Sequence, residues 1–361
     1  MFVESKFPII CLKGIHMPPK KLISIFILAA CGLLLLSILL SGCTSGNRER
    51  KVVVYTSVDQ HYSEPVLKKF EQDTGIKVLP VYDVEAAKTT GLVNRLIAEK
   101  KQPQADVFWN SEFVQTMLLK EAGVLASYRS PSAQGIPVAF CDQEGFWTGF
   151  GGRARVLIVN TDLVEQADFP RSIFDLTSER WSGQEVGIAY PLFGTSATHA
   201  AALYAVLGAQ EGKRFYDTLK TKGVQVVEGN SVVRDLVAQG RLKAGLTDTD
   251  DAFQAVSDGA PVKIVVPDQE GIGVFIIPNT VALVAGAPNP EEAGMMIDYL
   301  LSAAVENDLT SSGFIQAPLH AGAVNDEAAD WSGFKKMDVN FESVYQNLEN
   351  VKYELSQIFI R

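Results

Sequence analysis

Residues 51–82 read KVVVYTSVDQHYSEPVLKKFEQDTGIKVLPVY, and their alternation sets the expected fold. Val52 to Tyr55 is a short unbroken apolar run, the pattern of a strand buried on both faces. Tyr62, Val66, Leu67 and Phe70 then recur at helical spacing, and Ile76 to Tyr82 is largely apolar again. A strand, a helix and a second apolar strand predict a parallel unit whose sheet is covered by helices.

The alternation continues outward. A helix carrying Leu92, Val93, Leu96 and Ile97 precedes a strand at Ala105 to Trp109, and a helix with Phe113, Met117 and Leu118 ends at Gly123, expected as its C-cap. A second series begins near Arg155, with strands at Val156 to Asn160, Val186 to Tyr190, Val224 to Val227, Ala244 to Thr247 and Val262 to Val266. Helices open between them near Ser196, Glu211 and Ser231. Val274 to Ile277 and Val281 to Ala285 read as two further strands, followed by a helix around Glu291 to Leu301, a polar irregular stretch and a terminal helix over Phe341 to Phe359. The expectation is α/β, with two lobes meeting at glycine-bearing junctions near Gly151-Gly152 and Gly271 to Gly273 and a ligand cleft at the strand carboxyl ends.

The first fifty residues are of another kind. Lys20 and Lys21 precede Leu22 to Leu40, a stretch without charge, and Leu40-Ser41-Gly42-Cys43 closes it before a polar segment. A basic start, an apolar run and small residues make an export signal over 1–42, with 43–50 as a tether. An uncleaved membrane anchor is the competing reading, and Met17 is an alternative start. Removing 1–42 leaves 319 of 361 residues, with 28 basic against 41 acidic side chains and a net charge of −13, which argues against nucleic acid as a partner. With Cys11 and Cys31 in the signal and Cys43 at its end, Cys141 stands alone, so no disulfide framework or CxxC zinc site is available. Cys141 reads as a small buried apolar residue rather than a nucleophile.

Five polar segments fall at predicted strand ends. Thr56-Ser57-Val58-Asp59 offers hydroxyls and a carboxylate, and Trp109-Asn110-Ser111-Glu112 offers a second carboxylate, but each also reads as a helix cap. Phe193-Gly194-Thr195-Ser196-Ala197-Thr198 and Glu228-Gly229-Asn230-Ser231 put hydroxyls and backbone N–H groups at helix starts, where an anion is favoured; plain capping is again the alternative. Thr247-Asp248-Thr249-Asp250-Asp251 is either a solvated acidic turn or a site for a hard cation or an ammonium group. No HExxH, Walker A or GxGxxG pattern occurs, and Gly194-Thr195-Ser196-Ala197-Thr198 lacks the closing glycine of a nucleophile elbow. No catalyst and no catalytic cofactor is expected, and an exported hydrolase is the alternative from another class. His199, among alanines, reads as a packed or surface side chain, and His61 as bordering a helix start.

Tyr55-Thr56-Ser57, Phe70 to Val78, Ala105 to Trp109, Gly152 to Val156, Gly229 to Val232, Pro267 to Gly271, Ile277 to Thr280 and Ile297 to Leu301 occur in an order that resembles ferric-iron-type periplasmic binding proteins. The Cys after Leu-Ser-Gly resembles a bacterial lipoprotein signal, implying lipidation of Cys43 and attachment to a cell-envelope membrane. The family resemblance implies a type II two-lobed fold, with lobe one at 51–152 and 272–361 and lobe two at 153–271. It also implies a monomer that delivers a small ligand to the permease subunits of an ABC importer. By the same resemblance Glu112 matches a glutamate metal ligand, Asp59 stands where many relatives have histidine, and a companion anion falls at Thr195, Ser196, Ala197 and Asn230. The adjacent tyrosines that bind Fe(III) in those relatives are replaced here by Thr249-Asp250. Two binding readings stay open. Asp59, Glu112, Asp248 and Asp250 hold a hard metal ion such as Fe(III) with an anion, or Thr56, Ser57, Thr195, Ser196, Ala197 and Asn230, with a fork from Arg155 or Arg153, hold the phosphate, phosphonate or carboxylate of an organic solute whose amine meets the acids; the alternative for either arginine is a salt bridge at the crossover.

Overall fold

The computed structural model describes residues 49–82, 90–323 and 333–359, so the signal read at 1–42, Cys43 and most of the tether lie outside the described residues. In chain order the elements are β1 (Lys51–Thr56), α1 (Gln60–Thr74), β2 (Lys77–Tyr82), α2 (Thr90–Ala98), β3 (Val107–Asn110), α3 (Val114–Glu121) and β4 (Leu125–Ala126). Then come β5 (Thr148–Asn160), β6 (Val186–Ala189), α4 (Gly194–Leu207), α5 (Ala209–Thr221), β7 (Gln225–Val227), α6 (Asn230–Ala238), β8 (Ala244–Asp248), α7 (Thr249–Ser257) and β9 (Val262–Val265). The chain finishes with β10 (Ile276–Val284), α8 (Pro290–Leu300), α9 (Ala303–Ser311) and α10 (Phe341–Ile358). Among the described residues no helix is long and apolar enough to cross a membrane.

The strands are ordered β2-β1-β3-β10-β5-β8-β6-β7. β1 pairs in parallel with β2 and β3, and β6 in parallel with β7 and β8. Between these two parallel sets run β10 and β5, antiparallel to each other. The first half of β5 pairs with β10, and its second half with β8 and β9. The parallel strands carry the apolar runs of the sequence because helices cover both faces: Val52, Val54, Val107, Phe108 and Trp109 are all fully buried. On α1, Val66, Leu67 and Phe70 supply the buried stripe, and Gly75 ends the helix in the left-handed region with its N–H on the Glu71 carbonyl.

A buried carboxylate ties the first parallel set together. Asp106, entering β3, accepts hydrogen bonds from Val53 N (2.7 Å), Asn289 N (2.7 Å) and Asn289 Nδ2 (2.9 Å), so β1, β3 and the start of α8 share one anion. Bonds to a charged acceptor stabilise by roughly 1.5–3 kcal/mol each, and losing the acceptor would orphan buried donors.

Three sequence expectations change. The two strands expected around Pro278 are one strand, β10, because a register irregularity at Pro278/Asn279 accommodates the residue that cannot donate to a ladder. Thr249 to Ser257, expected to begin as an acidic turn, is helix α7, with Asp250 and Asp251 in its first turn where the helix dipole favours them. The polar stretch after α8 contains α9, capped by Ser302. Gly151-Gly152, read as a junction, lies inside β5, and close packing selects glycine at 152: a Cβ there would stand 2.3 Å from the Ile277 carbonyl oxygen.

Gly152→Ala therefore forces two paired backbones apart and is expected to destabilise by about 1–3 kcal/mol in urea unfolding. Gly333→Ala, where nothing lies within 4 Å of the added atom, is expected to stay within about 0.5 kcal/mol of the parent.

Candidate functional site

The carboxyl ends of β1 and β3 and those of β6, β7 and β8 open onto one cavity of about 1420 Å³. Ends of parallel strands face the starts of the helices that follow, so the cavity wall is built from helix N-termini. β1 leads in Ser57 and Asp59, β3 leads in Ser111 and Glu112, and β5 contributes Arg153 as it crosses. On the other side α4 brings Thr195, Ser196 and Ala197, α6 brings Asn230 and Ser231, and α7 brings Asp250 and Asp251 beside Asp248.

Beneath this wall sits a buried ion pair. Arg155 on β5 and Asp248 at the end of β8 have side chains 2% and 3% exposed, with Nη1 2.6 Å from Oδ1. Arg155 Nη1 also donates to Asn230 Oδ1 (3.0 Å), and Asn230 Nδ2 returns bonds to Asp248 Oδ2 and Thr195 Oγ1, both at 2.9 Å. Thr195 Oγ1 donates to Asp248 Oδ2 at 2.6 Å. One closed network thus fixes the starts of α4 and α6 against β5 and β8. The Thr195 hydroxyl proton is spent inside this network, and Ala197 N donates to the Phe193 carbonyl, so neither points a donor at a ligand.

What the two helices leave open is backbone. The N-cap positions of α4 and α6 are Phe193 and Gly229, and neither supplies a capping side chain. The first N–H groups of a helix have no intrahelical partner, and here they face the cavity with the positive end of the helix dipole. Gly194 opens α4 with φ +54°, a conformation that disfavours a side chain, and nothing lies within 4 Å of where its Cβ would be. Ser196 adds a hydroxyl whose contact with Asn230 Oδ1 is long, at 3.4 Å.

The acids on α7 are matched to arginines. Arg153 Nη1 lies 3.2 Å from Asp250 Oδ2, and Arg234 Nη1 lies 3.1 Å from Asp251 Oδ1. Burial opposes the charge of Arg153, but Asp250, Asp248, Glu112 and Asp251 more than offset this and hold its pKa above the ordinary value. Burial raises the Asp250 carboxyl, with Arg153 opposing and the Asp248 charge adding to the rise, and its Oδ1 has no hydrogen-bond partner among the described residues. Asp251 is pushed up to about 7 by burial and by the neighbouring Asp250 and Asp248. Carboxylate oxygens of Asp248, Asp250 and Asp251 all lie within 4.8 Å of one another.

The remaining sequence candidates divide. Ser57 lines the cavity while bonding Asn110 and accepting from Ser111 N (3.0 Å), so it also joins the ends of β1 and β3. Glu112 caps α3, accepting Val114 N at 2.6 Å and Gln115 N at 2.9 Å; burial lifts its pKa against those bonds. Asp59 is exposed at the N-cap of α1 and lines the cavity. Thr56 is buried, accepts Val58 N at 3.0 Å and does not line the cavity. Nor does Arg155, which acts from below, whereas Arg153 two residues earlier is the arginine at the wall. Sequence reasoning missed Arg234, Phe193 and the residues of α10, Tyr345, Gln346, Glu349 and Lys352, which also line the cavity. Arg234 was legible as the partner of a buried acid only once α6 and α7 are known to pack side by side. His199 is on the buried face of α4, its ring stacked on Phe275 at 5.6 Å with 8° between planes, and Cys141 is partly buried and free.

A polar cavity at facing strand ends, with two crossing strands between the parallel sets, is the type II periplasmic-binding-protein fold. Residues 102–343 match the family described as bacterial extracellular solute-binding protein, and the chain belongs to that family. It is 24% identical over 307 residues to iron uptake protein A1 of Synechocystis, covering 80% of this chain and 81% of that one. It is 30% identical over 219 residues to a probable ABC transporter periplasmic-binding protein, y4fP, of Sinorhizobium fredii, covering 59% and 60%. Among solved structures it is similar to ferric iron-binding protein A of Mannheimia haemolytica in an open conformation (TM-score 0.76, 23% identity, 86% and 98% covered). It is also similar to AfuA of Actinobacillus pleuropneumoniae, solved with fructose-6-phosphate bound (TM-score 0.68, 22% identity, 86% and 98% covered).

Two predictions follow from the layer under the cavity. Asp248→Ala strands the buried Arg155 charge and is expected to cost about 3–5 kcal/mol in urea unfolding. Burial, then the Arg155 charge, hold the His199 pKa well below 6.5, so the unfolded chain binds a proton that the folded one refuses. The His199 contribution is present above pH 6.5 and is lost as pH falls from there toward the folded pKa. The difference in stability between the parent and His199→Phe should shrink or reverse across that window, measured by denaturant unfolding at each pH.

Proposed function

We propose that this chain is the solute-capturing subunit of an ABC importer, tethered to the cell envelope by lipid on Cys43, and that its cleft takes an organic solute with an anionic head and an amine. The observation that carries the reading is the contrast between the two sides of the wall. α4 and α6 start at the cavity with no capping side chain, while Asp248, Asp250 and Asp251 are each already matched to an arginine. A phosphate, phosphonate or carboxylate completes the two helix starts, and Ser196 and Ser231 add hydroxyl donors. An ammonium group then meets the Asp250 carboxylate at the cavity wall without having to strip arginine from every acid. Ser57, Ser111 and Asp59 face the solute from the other side.

A second reading has its own support: the three clustered carboxylates suit a hard cation, with Asp59 and Glu112 across the cleft, and relatives carry iron in their names. In that case Fe(III) or another hard ion is the cargo, and the anion at α4 and α6 completes its shell. Glu112 would have to leave the cap of α3 to take part.

In either reading the chain binds and releases rather than reacts. Residues 51–152 and 272–361 act as one lobe and 153–271 as the other, closing about β5 and β10 so that a permease meets the loaded form. α10 belongs to this movement from both sides, since it packs on α4 and α5 while Tyr345 donates to Glu121 of α3 at 2.9 Å.

Native mass spectrometry with elemental analysis of the protein purified from residue 44 onward tests the cargo. An organic adduct containing phosphorus or a carboxylate, without stoichiometric metal, is the expected result, and stoichiometric iron would overturn it in favour of the second reading. With the organic ligand identified, Asp250→Ala is expected to weaken its binding about tenfold or more by calorimetry, and unchanged affinity would remove the acids from the site.

A further inference from the structure

We infer that Phe193 reads the body of the solute, so that the cleft selects an anionic group carried on a flat, apolar framework. This rests on the anion site at α4 and α6 and adds to it a substrate class. Phe193 occupies the N-cap of α4, a position that favours small polar residues, and it does nothing there as a cap. Its side chain is 70% exposed, and it is the one phenylalanine among the described residues exposed beyond a third. An exposed ring lining a cavity is surface that gains when something covers it.

The surroundings fix both the ring and its direction of use. Tyr190 backs it at 5.9 Å between centroids, and the Tyr190 hydroxyl donates to the Phe359 carbonyl at 2.9 Å, which pins that second ring to the end of α10. Gly194, the next residue, leaves open space beside the free N–H groups of α4. An anion held on those groups is therefore one residue along the backbone from the ring, and whatever it is attached to extends into the cavity past Phe193. A second aromatic pair, Tyr62 and Phe314 at 5.1 Å, lines the same cavity. A polar head on backbone donors and a flat body on an aromatic ring divide the work as small-molecule sites commonly do.

The test titrates the protein with inorganic phosphate and with phenyl phosphate by calorimetry, in the parent, Phe193→Ala and Phe193→Trp. The parent is expected to bind phenyl phosphate about tenfold more tightly than phosphate. Phe193→Ala should lose that advantage while binding phosphate within about twofold of the parent, and Phe193→Trp should keep it. If Phe193→Ala weakens both probes equally, the ring serves closure or the start of α4, and the inference falls. It falls as well if phosphate binds and the phenyl group adds nothing, although the anion site then stands. If neither probe binds the parent, the anion site and this inference fall together.

Discussion

The cleft depends on a positive charge buried where water cannot reach it. Arg155 holds Asp248, Asp248 holds Thr195 and Asn230, and those two residues open the helices α4 and α6. An unpaired guanidinium at this depth would be ruinous, so the geometry of the partners is dictated by the need to neutralise it. Binding surfaces of this kind are usually described by what faces the ligand. Here the residues facing inward are held from below by Arg155, which does not itself line the cavity.

That layer also explains the electrical character of the wall. The chain is acidic overall, and the cavity gathers Asp248, Asp250 and Asp251 within a few ångströms. Left alone, three carboxylates at this spacing would repel one another and resist burial; the upward displacement of Asp250 and Asp251 records that pressure. Arg153, Arg155 and Arg234 answer it from β5 and α6. The arginines come from elements that meet α7 only after the second parallel set has assembled, so the site acquires its charge balance from tertiary structure rather than from neighbours in sequence.

Much of the architecture was legible because buried parallel strands must be apolar throughout. Val52 to Tyr55 and Ala244 to Thr247 announce themselves for that reason, and Val156 to Asn160, antiparallel to its neighbours in β5, reads the same way because it too is buried on both faces. Four features were not. Asp250 and Asp251 looked like a solvated turn because acids at the first turn of a helix and acids in a loop have the same spelling, and the helix dipole that favours them is invisible in one dimension. Pro278 appeared to split a strand that a bulge lets continue. Arg153 and Arg155 stand two residues apart on one strand, so periodicity puts them on the same face and says nothing of depth. What separates them is coverage: α4, α6 and β8 close over Arg155, and Arg153 is left at the wall. Phe193 lay inside a segment read for its glycine and hydroxyls, and a ring preceding a helix gives no sign of its exposure.

The terminal helix α10 has a consequence of a different kind. Phe341 packs against Phe113, Phe140, Trp147 and Phe275, rings drawn from across the chain, and Tyr190 bonds the carbonyl of Phe359 near the other end. The core therefore cannot be sealed until nearly the whole polypeptide exists, and contacts that distant in sequence form slowly.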